Sequence, residues 1–105
     1  MSTVTNMEIG LDTIVVIKRD GRQLSFEPEK IYEALRKASD ELTHISPVQE
    51  VKLEQLTDKI VATIFDRFDK DVQIYEIQNI VEHVLLDANE YQLAKVYINY
   101  RTQRD

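Results

Sequence analysis

One Asp-Gly pair constrains this chain more than any other feature. Asp20-Gly21 stands between the apolar run Ile14-Val15-Val16-Ile17 and the alternating stretch Gln23-Leu24-Ser25-Phe26. That arrangement marks a β-hairpin, because a two-residue type I′ turn needs positive φ at both central positions and Asp-Gly tolerates it. From Pro28 onward the apolar residues recur at helical spacing. The expected fold is α+β and mostly α: a small N-terminal hairpin laid on a helical body. Only two glycines and two prolines in 105 residues leave room for long regular elements.

A two-residue loop sets Arg19 opposite Arg22, Ile17 opposite Leu24 and Val15 opposite Phe26. Those six share one face, which is expected to pack on the helices. Ile14, Val16, Lys18, Gln23 and Ser25 then share the other face. Opposed arginines repel, at a cost on the order of a few tenths of a kcal/mol, which an anion between them would reverse.

The first helix is expected from Pro28 to Asp40, with Ile31, Ala34, Leu35 and Ala38 as its buried stripe and Lys30 beside that stripe. Ser46-Pro47 suits an N-cap and first position for a second helix reaching Phe68. Its spacing puts Leu53, Leu56, Ile60, Val61, Ile64, Phe65 and Phe68 in the core. A charged turn over residues 66–71 lacks the glycine and glutamate of a calcium loop, so no protein metal site is expected. The third helix is expected over Ile74 to Ala88, closed by Asn89 in the left-handed conformation. The fourth runs from Glu90 to Arg104, with Leu93, Ala94, Tyr97, Ile98 and Arg101 on one stripe. Residues 1–12 are polar and aperiodic and read as a flexible arm, which leaves 13–105 as one domain.

The absence of cysteine excludes a disulfide framework and thiolate zinc sites. No apolar run approaches membrane-spanning length, and the start MSTVTNMEIG lacks a signal-peptide pattern, so a cytoplasmic domain is expected. No Gly-rich phosphate loop or nucleophile–base motif suggests catalysis. The net charge of −6 disfavours nucleic acid as the main partner. Against that background Lys18, Arg19, Arg22 and Lys30 concentrate positive charge within thirteen residues. Val16, Phe26 and Ile31 offer an apolar floor beside them. Cations next to an apolar floor suit a phosphorylated ligand such as a nucleotide. A protein-interaction module with a basic rim is the competing expectation.

These residues resemble a known family. Val16 to Gly21 (V-x-K-R-D-G), then Lys30-Ile31, is similar to the opening of the ATP-cone domain. Val72-Gln73-Ile74-Tyr75-Glu76-Ile77-Gln78, Val81-Glu82 and Ala94 to Arg101 (AKVYINYR) resemble its second half. The resemblance spans about Thr13 to Arg104. It implies a β-hairpin covering a four-helix bundle, with ATP or dATP bound beneath the hairpin as an allosteric effector and Mg²⁺ brought by the nucleotide. It implies a non-catalytic module that switches a ribonucleotide reductase, partnered by that enzyme's catalytic domain and by effector-dependent homo-oligomerisation. Carried over by position, Lys18, Arg19, Lys30 and Arg22 hold phosphates, and Val16, Phe26, Ile31, Ile74, Ile77 and Gln78 line the base and ribose pocket. Tyr100, Arg101 and Arg104 fall near a basic position of the last helix. Leu24 departs from the pattern, standing where some relatives carry an acidic residue. The wording at Val81-Glu82 and at Y-I-x-Y-R (Tyr97 to Arg101) is closer to the anaerobic glycyl-radical reductase than to the aerobic large subunit. In a bacterial repressor the same module follows a four-cysteine zinc ribbon, and a chain without cysteine does not match that parent.

Overall fold

The computed structural model describes residues 14–42 and 48–104, with side chains through Arg101. The expected arm over residues 1–12 and the expected cap at Ser46-Pro47 lie outside the described residues.

The hairpin forms, in a different register. Strands β1 (Val15–Ile17) and β2 (Gln23–Ser25) pair antiparallel with Val16 opposite Leu24. Lys18, not Arg19, closes the loop: its N–H donates to the Arg22 carbonyl at 2.8 Å, and its carbonyl accepts from Gly21 N–H at 2.9 Å. The loop therefore holds three residues and ends on Gly21 at φ +92°. Asp20 keeps a negative φ, because its carboxylate accepts the Arg22 backbone N–H at 3.0 Å and stabilises a turn that asks positive φ of the glycine alone.

A one-residue change of register exchanges the two faces of a strand. The β1 residues that go inward are Ile14 and Val16, 2% and 7% exposed, whereas Leu24, though it stands opposite Val16 on the same face, is left 49% exposed. The expected opposition of Arg19 and Arg22 disappears as well. Arg22 folds back, and its Nε donates to Asp20 at 2.8 Å.

The sheet has a third strand that the sequence pattern did not suggest. β3 (Asp71–Gln73) pairs parallel to β1, with Val72 beside Val16, giving the order β2-β1-β3. Val72 is 1% exposed, so the inner row Val72–Val16 seals the sheet onto the helices.

Four helices follow their sequence signals closely: α1 (Pro28–Asp40), α2 (Glu50–Arg67), α3 (Ile74–Asp87) and α4 (Tyr91–Arg104). α1 packs on α2 and α4, and α3 packs on the same two, which closes a four-helix ring. Ile14 and Val72 from the sheet meet Leu35, Ile60, Ile64, Val81, Leu85 and Leu93 in one core. Each such buried aliphatic side chain contributes ~1.5–3 kcal/mol. Phe65 departs from the expected α2 stripe: it is 43% exposed and lies edge-on to Phe26 at 5.7 Å. α3 ends as expected, with Asn89 at φ +63° and the Glu90 N–H bonded back to the Leu85 carbonyl at 2.9 Å.

Candidate functional site

The buried stripe of α1 is split. Leu35 and Ala38 are fully buried, whereas Ile31 and Ala34 are only half-buried. The two half-buried residues form part of a cleft of about 340 Å³ that opens between α1, α3 and α4 at the end of β1. That volume lies at the lower end of the range for small-molecule sites, ~300–1,000 Å³.

Lys18 enters the cleft from β1, and Lys30, Glu33 and Lys37 enter from α1. Lys30, Ala34 and Lys37 stand at i, i+4 and i+7, so one helix face carries all three. Ile74, Ile77 and Gln78 of α3 form the opposite wall, and Tyr97, Tyr100 and Arg101 of α4 form the third. The apolar part of this lining is aliphatic and aromatic, and its charges are four cations against one carboxylate, Glu33. Among the described residues no carboxylate pairs with Lys18 or Lys37, and Lys30 meets Glu27 only at 3.9 Å. The cleft is thus an anion-favouring pocket with an apolar floor.

The structure brings Lys18, Lys30, Ile31, Ile74, Ile77, Gln78, Tyr100 and Arg101 to one cleft. Other expected site residues lie elsewhere. Val16 is buried in the core beneath the sheet, and Phe26 is half-buried against Phe65. Arg19 and Arg22 are exposed on the hairpin turn, and Arg22 is held by Asp20. Bonds from the Arg22 backbone N–H and then its side chain hold the Asp20 carboxyl below its usual range. Arg104 ends α4, with its side chain outside the described residues. Glu33 and Lys37 are not among the residues the sequence points to, and Tyr97 is expected there as a stripe residue of the last helix rather than as part of the site. Lys37 could have been found, since it repeats Lys30 two helical turns later.

A second cleft, about 560 Å³, lies between α1 and α2 and has the opposite character. Glu29, Glu33, Glu50, Glu54 and Asp58 line it, against Arg36 alone among cations. The Tyr32 hydroxyl donates to Glu50 there at 3.3 Å, and burial with the Glu50 charge pushes that hydroxyl's pKa up. A polyphosphate would be repelled from this side. Among the described residues no group of three or more carboxylates or histidines could hold a metal ion, and no helix is long and apolar enough to cross a membrane.

The model of the ATP cone domain family matches residues 14–105. The chain belongs to the ATP-cone family. An ATP-cone is a nucleotide-sensing regulatory domain whose effector is ATP or dATP. This ATP-cone is 37% identical over 90 residues to an anaerobic ribonucleoside-triphosphate reductase of Haemophilus influenzae, covering 86% of this chain and 12% of that protein. It is 40% identical over 100 residues to a ribonucleoside-diphosphate reductase subunit alpha of Chlamydia muridarum, covering 88% and 10%. It is 38% identical over 94 residues to a vitamin B12-dependent ribonucleoside-diphosphate reductase of Thermoplasma acidophilum, covering 85% and 12%. The ATP-cone spans about a tenth of the length of these curated relatives.

Proposed function

We propose that this chain senses the ATP-to-dATP balance for a ribonucleotide reductase by binding either nucleotide in the cationic cleft. The observation that carries the proposal is the union of Lys18, Lys30 and Lys37 with an aliphatic wall in one cleft. The triphosphate lies along the three lysines, with Arg19 on the turn next to Lys18 meeting its outer oxygens. Arg22 stands further off, held by Asp20. Ile31, Ile74 and Ile77 take the base and ribose, and Gln78 supplies a polar contact. Any Mg²⁺ carried by the phosphates would find one carboxylate in the lining, Glu33. Val16 acts from beneath, through the position of β1, and Phe26 through the packing of β2.

The parent we propose is a reductase of the anaerobic glycyl-radical class, whose catalytic domain responds to the bound nucleotide through a change of oligomeric state. Identities of 37–40% to reductases of three kinds do not separate the classes. The wording at Val81-Glu82 and Tyr97 to Arg101 supports this one.

Calorimetric titration with ATP and dATP at fixed Mg²⁺ tests the proposal. Lys18→Ala and Lys30→Ala are each expected to weaken binding ~10- to 150-fold, since a charge-assisted phosphate bond contributes ~1.5–3 kcal/mol. Their far-UV dichroism should match the parent's. Unchanged affinity in both variants would remove the assigned site, and no binding of either nucleotide would remove the function.

A further inference from the structure

Arg101 differs from the cleft lysines in being firmly engaged. Its Nε donates to Glu82 Oε2 at 2.6 Å, and its Nη1 reaches Gln78 Oε1 at 3.5 Å. The Arg101 and Glu82 side chains are 23% and 19% exposed, so water screens this pair far less than the other ion pairs described. Gln78 and Glu82 sit one turn apart on α3 and form one strip of acceptors facing α4. Arg101 and Gln78 line the cleft, while Glu82 stands behind them, outside the lining. The guanidinium thus has a carboxylate on one side and the cationic cleft on the other. It carries five N–H donors, more than these two bonds use.

We propose that Glu82 is a built-in competitor for the ligand's phosphate at Arg101. It holds the guanidinium against α3, and a phosphate oxygen entering the cleft displaces it from Nε–H. This inference rests on the nucleotide reading of the cleft. A phosphate offers more charge than one carboxylate and accepts the planar fork bidentately, so the exchange is chemically reasonable. The pair joins α3 to α4, and its exchange couples occupancy of the cleft to the seam between these two helices. Glu82 is in this sense a positioning residue: it sets how available Arg101 is to the ligand without touching it.

A purely structural staple makes a different prediction. Glu82→Gln keeps the shape and removes the charge that competes with phosphate. It should lower the Tm of the chain and yet tighten ATP binding about tenfold, about 1.4 kcal/mol. In an Arg101→Gln background the same substitution should leave the Kd unchanged. In the unmodified chain, saturation with ATP should shift the Arg101 Nε–H signal in ¹⁵N-resolved NMR, a readout that stands if Glu82→Gln does not fold. A lower Tm with unaltered Kd would overturn the proposal, as would an Nε–H signal that ignores saturating ATP. Binding that depends on Lys18 and Lys30 but not on Glu82 would overturn this inference alone. Absence of binding in the unmodified chain would overturn the nucleotide reading together with it.

Discussion

Ser39→Ala isolates a contact that no local pattern announces. Ser39 is 2% exposed near the end of α1, and its hydroxyl clamps the segment that enters α2. The Val48 N–H donates to Ser39 Oγ at 2.8 Å, and the hydroxyl donates back to the Val48 carbonyl at 3.3 Å. The cap residue of α2, Gln49, makes no side-chain cap bond, so this clamp, with the Tyr32–Glu50 contact, helps to tie down the start of that helix. Removing the hydroxyl leaves two backbone groups without their partner. A fully buried orphan costs ~1–3 kcal/mol, but Val48 is half-buried and water will recover part of it. The longer second bond adds little. Alanine has the higher helix propensity and returns ~0.5 kcal/mol. The net expectation is a loss of about 1–2 kcal/mol, or roughly 5–10 °C in Tm for a domain of this size. Thermal and urea unfolding would measure it, with an unchanged urea slope showing that the denatured state is unaffected. Ser25→Ala, on the exposed β2, should stay within about 0.5 kcal/mol of the parent. If Ser39→Ala unfolds at the parent temperature or above it, helix propensity outweighs the clamp and the reasoning fails.

The hairpin yields two further predictions. Gly21→Ala meets no atom within 4 Å, so its cost is the positive φ alone, ~1–2 kcal/mol; a Tm equal to the parent's would show that the turn had relaxed to another type. Asp20 has a depressed folded pKa, so its contribution to stability is complete above the unfolded value near ~3.9 and is lost as pH falls through the lower folded value. Its side-chain carboxyl carbon should titrate below the ordinary Asp range by NMR, and a midpoint at or above that range would contradict the turn geometry.

Much of this protein was legible before any coordinates. Pro28 and the apolar spacing after it located α1, Asn89 located the end of α3, and Asp20-Gly21 located the hairpin. The hairpin register is not legible in the sequence because Asp-Gly serves both a two-residue and a three-residue loop. The side-chain bond from Asp20 to the Arg22 N–H decides between them. β3 leaves no mark in the sequence because three residues are too few to show alternation, and its partner β1 lies more than fifty positions away. Lys30 was identifiable from its basic neighbours, whereas Lys37 needed the cleft to give it a role.

What the sequence determined by itself is therefore the local part: which segments are helices, where the chain turns, and the order of motifs that makes it an ATP-cone. Tertiary structure alone decided the rest. It chose Ile14 and Val16 rather than Val15 and Ile17 as the inner face, placed Val72 beside Val16, and buried Ser39 against Val48. It also gathered Lys18, Lys30, Lys37 and Arg101 around one cleft while turning Arg22 away to Asp20. The division has a physical basis. Periodicity and turn chemistry act over a few residues and leave their mark in the order of side chains. Strand register, parallel pairing and the convergence of charges depend on contacts between distant segments, and one loop residue more or less is enough to shift the register of a hairpin.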